Sequence, residues 1–174
     1  APAAAHDDII TDDGGTTVDE HQHEGSEGHL DPTSANVTVV SKLEVSNVVE
    51  GAVADVGFHD GFAYLTRFRG PNCFTTGGDP PGGVWIVDAT DPADPREVTF
   101  LPTSQGSYAG EGSHVISVKT RSFKGDVLAI NNETCVDGDD LGGMTLWDVT
   151  DPYNPELLVE HFGDVGLDGV PQQI

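Results

Sequence analysis

The sequence predicts an all-β protein built from two four-stranded antiparallel units, preceded by an acidic tail. Three observations carry this expectation. A fourteen-residue stretch recurs sixty residues further on, with seven positions identical. The strand inside it is apolar on both of its faces. Gly 22 and Pro 11 among 174 residues favour many turns over long helices.

The first element is a leader, residues 1–36. Its first 31 residues hold nine acidic side chains, no Lys or Arg, and four of the seven histidines, His6, His21, His23 and His29. It has no apolar periodicity, so little burial is available to offset the entropy of ordering it. Ala1-Pro2-Ala3-Ala4-Ala5 resembles the small-residue material beside a signal-peptidase site and points to a mature, exported chain. Asp19-Glu20-His21-Gln22-His23-Glu24, with His29 beyond, offers imidazole and carboxylate ligands suited to zinc or copper. A solvating leader explains the same composition.

Next comes 37–45, Val-Thr-Val-Val-Ser-Lys-Leu-Glu-Val, expected as a leading strand. The first unit, 50–102, reads as strands near 53–58, 62–67, 84–88 and 96–101. The second, 111–162, reads as strands near 113–119, 126–131, 144–148 and 156–162. The repeat lies in both units. Gly82-Gly83-Val84-Trp85-Ile86-Val87-Asp88-Ala89-Thr90-Asp91-Pro92-Ala93-Asp94-Pro95 matches Gly142-Gly143-Met144-Thr145-Leu146-Trp147-Asp148-Val149-Thr150-Asp151-Pro152-Tyr153-Asn154-Pro155. Asp91 and Asp151 are placed to accept the N–H two residues on, and the proline after each sets φ for a turn. Repetition therefore assigns these aspartates to turn-making. His59-Asp60-Gly61 reads as a hairpin turn.

Val84 and Ile86 point one way and Trp85 and Val87 the other, so the third strand needs a neighbour on each side. Trp85 and Trp147 are accordingly expected to be buried. Four-stranded sheets stacked around an axis are the blades of a β-propeller. A ring needs at least four blades, so two blades imply a larger ring. The missing neighbours would be further blades of a longer polypeptide, another chain, or copies of this one. Residues 163–174 read as the approach to a third blade.

The strand Val84-Trp85-Ile86-Val87-Asp88, followed by Thr90-Asp91-Pro92 and Pro95, resembles the LVIVD repeat. The resemblance spans roughly residues 50–162. It implies a secreted or cell-surface β-propeller of bacterial or archaeal type. It carries over no catalytic residue.

The site candidates are few. Cys73 and Cys135 follow the second strand of each unit and are expected to form one disulfide, with two free thiols as the alternative. Asp55 and His114 occupy corresponding points near the starts of the first strands and are expected to face the central channel. Asp137, Asp139 and Asp140 form a possible calcium loop that lacks the full EF-hand pattern. Asn36 and Asn132 open glycosylation sequons.

Lys and Arg total 7 against 30 Asp and Glu, a formal charge of −23. That excludes a phosphate-binding surface of the nucleic-acid type and electrostatic docking on an anionic membrane. No apolar run approaches the roughly 20 residues of a spanning helix. The functional expectation is an extracellular or cell-surface, non-enzymatic binding or scaffold module. The alternatives are a metal-dependent propeller hydrolase with its site in the channel, and a metal-binding surface protein acting through its leader; calcium and zinc are the candidate cofactors.

Overall fold

The computed structural model describes residues 36–48, 52–67, 82–104, 106–134 and 142–164. From Val39 onward these belong to one compact unit. Among the described residues every regular element is a β-strand. Sheet one contains β1 (Val53–His59), β2 (Phe62–Arg67), β3 (Gly83–Asp88) and β4 (Arg96–Pro102), hydrogen-bonded in chain order. Sheet two contains β6 (Ser113–Lys119), β7 (Lys124–Asn131), β9 (Met144–Asp148) and β10 (Glu156–Phe162), again as an antiparallel meander. The short strands β5 (Ser107–Tyr108) and β8 (Glu133–Thr134) pair with each other. The sequence reading did not anticipate that two-residue ladder.

Local chemistry explains where the strands stop. The β1–β2 hairpin turns through Asp60 (φ 45°) and Gly61 (φ 87°). Two successive positive φ values make this a type I′ turn, whose twist matches that of the flanking strands. At the end of β3, Asp88 Oδ1 accepts both the N–H and the hydroxyl of Thr90. Asp91 Oδ1 then accepts from Ala93 N, and Asp91 O accepts from Asp94 N. After β9 the same pattern recurs. Asp148 Oδ1 accepts from Thr150, Asp151 Oδ1 from Tyr153 N, and Asp151 O from Asn154 N.

Register and burial show how the sheets stack. Directly opposed residues of an antiparallel pair share a face. In sheet one, Ile86 opposes Tyr64 and Val84 opposes Thr66, defining face A; Trp85 opposes Leu65 and Val87 opposes Ala63, defining face B. The main core joins Tyr64, Val84 and Ile86 to Leu128, Ile130 and Val149, with Val115 and Trp147 packed against it. Trp147 opposes Leu128 and Thr145 opposes Ile130. In the repeat alignment, Thr145 and Trp147 correspond to Trp85 and Val87. Face A of sheet one therefore lies on face B of sheet two. The sheets come close at Gly57, where an added Cβ would meet Ser113 O at 2.6 Å.

Two expectations need correction. The segment 37–45 forms no strand, because no sheet edge pairs with it. Its end lies on face B of sheet one, where Val45 joins Trp85 and Val87 in a second core, with Val48 packed beside them. Trp85 Nε1 donates to Ser46 O at 3.0 Å, and Ser46 donates through N and Oγ to Glu97. The second correction concerns the tryptophans. Trp85 is 1% exposed, but Trp147 is only half-buried and its Nε1 has no hydrogen-bond partner.

Candidate interaction surface

Polar contacts fix the two sheets against each other. Near one end, Asp55 Oδ2 on β1 accepts from Gly112 N and Ser113 N, both at 3.0 Å, while Oδ1 accepts from Val56 N. These backbone donors, Val56 first, hold the Asp55 carboxyl below the usual carboxylate range, against the opposing effect of desolvation. Elsewhere, Tyr153 in the β9–β10 turn donates its hydroxyl to Asp88 Oδ2 and stacks edge-on against Phe62 at 5.7 Å. The Thr90 hydroxyl, then Tyr153, lower the Asp88 pKa, and the Asp88 bond raises that of Tyr153. A third link runs through His161. Its Nδ1 lies 2.9 Å from Gly142 O, an acceptor, so Nδ1 carries a proton, and its Nε2 lies 3.1 Å from Ser104 Oγ.

Face A of sheet two has no such cover among the described residues. Its positions follow from register: Ile116 opposes Val127, His114 opposes Ala129, Leu146 opposes Ala129 and Val159, and Met144 opposes Phe162. Ile116 is 57% exposed, and Met144 and Phe162 are exposed as well. Beside Met144 and Phe162 an open groove of about 420 Å³ is lined by Asn131, Asn132, Glu133 and Gly163. Face B of sheet one is closed over Trp85 by Val45 but open at β1, where Val56 is exposed and Phe58 is 67% exposed. Large exposed apolar side chains are thus gathered on one face of each sheet.

The residues singled out in the sequence fall in different places. Asp55 points its carboxylate into the backbone of the β6 entry and acts as an inter-sheet clamp. His114 is exposed on face A of sheet two. Asp91 and Asp151 sit in their turns. Asn36 is exposed at a left-handed φ of 62°, which Asn tolerates. Asn132 is 4% exposed, with Nδ2 donating to Thr145 Oγ1 at 2.6 Å, so that nitrogen has no room for a glycan in the folded chain. Cys73, Cys135, His21, His23, His29, Asp137, Asp139 and Asp140 lie outside the described residues. Sequence reasoning missed Asp88, Asp126, Tyr153 and His161. The repeated Asp-x-Thr at 88–90 and 148–150 was the available signal for the first.

Among the described residues no helix is long and apolar enough to cross a membrane. No family model matches the chain, and no curated protein matches it.

Proposed function

We propose that the chain contributes two blades to a β-propeller of the LVIVD-repeat kind. It would act outside the cell or at the cell surface as a non-enzymatic binding or scaffold module. The observation that supports this reading most is the packing of face A of sheet one on face B of sheet two. A two-fold sandwich would bury equivalent faces against each other. Packing unlike faces is what successive units do when one rotation relates each to the next, and it can be repeated. Face A of sheet two is then the seat of another blade, supplied by further sequence, another chain or a second copy.

Sedimentation of the 174-residue chain tests this. Association at micromolar concentration is expected, and Ile116→Asp should weaken it by at least tenfold. A folded, soluble monomer would overturn a second copy as the source of that blade, and association indifferent to Ile116→Asp would overturn face A of sheet two as its seat.

A further inference from the structure

The two sheets approach each other at a further polar point that the clamps do not use. His59 ends β1 and Asp60 occupies the type I′ turn that follows. Asp126 lies near the start of β7, opposite Ser117, on the side facing sheet one. His59 Nε2 is 3.3 Å from Asp126 Oδ1 and 3.7 Å from Asp60 Oδ2. The three side chains each offer one ligand atom, all within 4.8 Å of one another.

We propose that His59 Nε2, Asp60 Oδ2 and Asp126 Oδ1 form a binding site for a divalent transition metal, suited to zinc, that ties sheet one to sheet two. Zinc bonds to nitrogen and oxygen of about 2.0–2.1 Å put neighbouring ligands of a tetrahedron about 3.3–3.4 Å apart. The two distances from the imidazole are close to that edge. The imidazole also distinguishes this group from a hard-cation site, since calcium and magnesium take oxygen ligands. Three protein ligands leave the fourth position to water.

Two further observations support the site. Nε2 of His59 is shielded from solvent and makes no hydrogen bond, although two carboxylates lie beside it. A buried polar atom without a partner is costly, and a metal would satisfy it. The Asp126 carboxylate is already oriented, because Ser117 Oγ donates to Oδ1 at 2.6 Å. Such an outer hydrogen bond fixes a ligand's rotamer before the ion arrives. His59 and Asp126 are 22% and 24% exposed, so an ion reaches them from the edge of the inter-sheet space.

Thermal unfolding of the full chain with and without zinc chloride tests the proposal. At a free zinc concentration 100 times the dissociation constant, the folded-to-unfolded ratio should rise about 100-fold. His59→Gln and Asp126→Asn should each remove that gain. A chain carrying His21→Ala, His23→Ala and His29→Ala together should keep it, which separates this site from the leader. Side-chain NMR of the unsubstituted chain supplies a readout that no variant's folding can confuse. The His59 ring signals should move to a new position at one equivalent of zinc bound here. Unmoved His59 signals at saturating zinc would overturn the proposal. So would an undiminished gain in Asp126→Asn.

Discussion

Trp85→Ala is the perturbation whose cost the structure fixes most closely. The ring is 1% exposed and lies between Val45, Val87 and Phe100, whose ring centroid is 5.2 Å away. Burying a tryptophan removes about 150–250 Å² from water, and at about 25 cal/mol per Å² that is roughly 4–6 kcal/mol. The bond from Nε1 to Ser46 O contributes about another 1 kcal/mol, and its loss leaves that carbonyl to find water. Relaxation of Val45 and the loop into the gap recovers part of this. The expected net loss is about 3–5 kcal/mol. Trp147→Ala should cost less, about 1–3 kcal/mol, because that ring is half-buried and its Nε1 bonds to nothing. Urea unfolding followed by circular dichroism reads both, as a fall in midpoint at unchanged slope. Equal losses at the two sites, or a Trp85 loss below about 1 kcal/mol, would refute the assignment of Trp85 to a sheet face sealed by residues 45–48.

Three other outcomes follow from named contacts. Asp55→Ala should destabilise by about 1.5–3 kcal/mol, since it removes a charged acceptor from two inter-sheet N–H groups. The Asp55 pKa is lowered in the folded chain, so its contribution is present above the ordinary carboxylate value near 3.8 and fades as pH falls through the folded value. Asp55→Asn should therefore flatten acid unfolding below about pH 4, measured by fluorescence across that window. Gly57→Ala should cost about 1–3 kcal/mol in the same urea assay, because its Cβ would press on the Ser113 backbone. Tyr153→Phe, at an exposed turn, should leave the thermal unfolding midpoint almost unchanged while keeping its edge contact with Phe62.

The strand plan was legible because its signals are local. Four apolar residues in succession, Val84 to Val87, require cover on both sides, and Val84 and Ile86 do enter one core while Trp85 and Val87 enter another. Turn aspartates act within three residues, so the motif alone locates them. What was not legible depends on residues distant in the chain. The run 37–45 has strand composition, but a strand needs an edge, and the chain here is pinned instead by Val45 and by Ser46 with Glu97. Asp55 is an unremarkable acid in sequence; its donors at Gly112 and Ser113 lie in the other repeat. Trp147 aligns with Val87 in the repeat, so its burial depends on how sheet two meets sheet one. The same holds for His59 and Asp126, which read separately as a turn residue and a strand start. Asn132 carries a sequon that only the fold reveals as buried.

The central claim is that the unlike faces of these sheets are complementary, so that one unit can seat the next. Mixing two single-face variants tests it most directly. Ile116→Asp spoils face A of sheet two, and Phe58→Asp spoils the open part of face B of sheet one. Each variant keeps one good face, so each alone should sediment as a monomer. A head-to-tail contact uses two different surfaces, so an equimolar mixture should form a one-to-one dimer through the two intact faces. A mixture that stays monomeric, while the unsubstituted chain associates, would contradict the account.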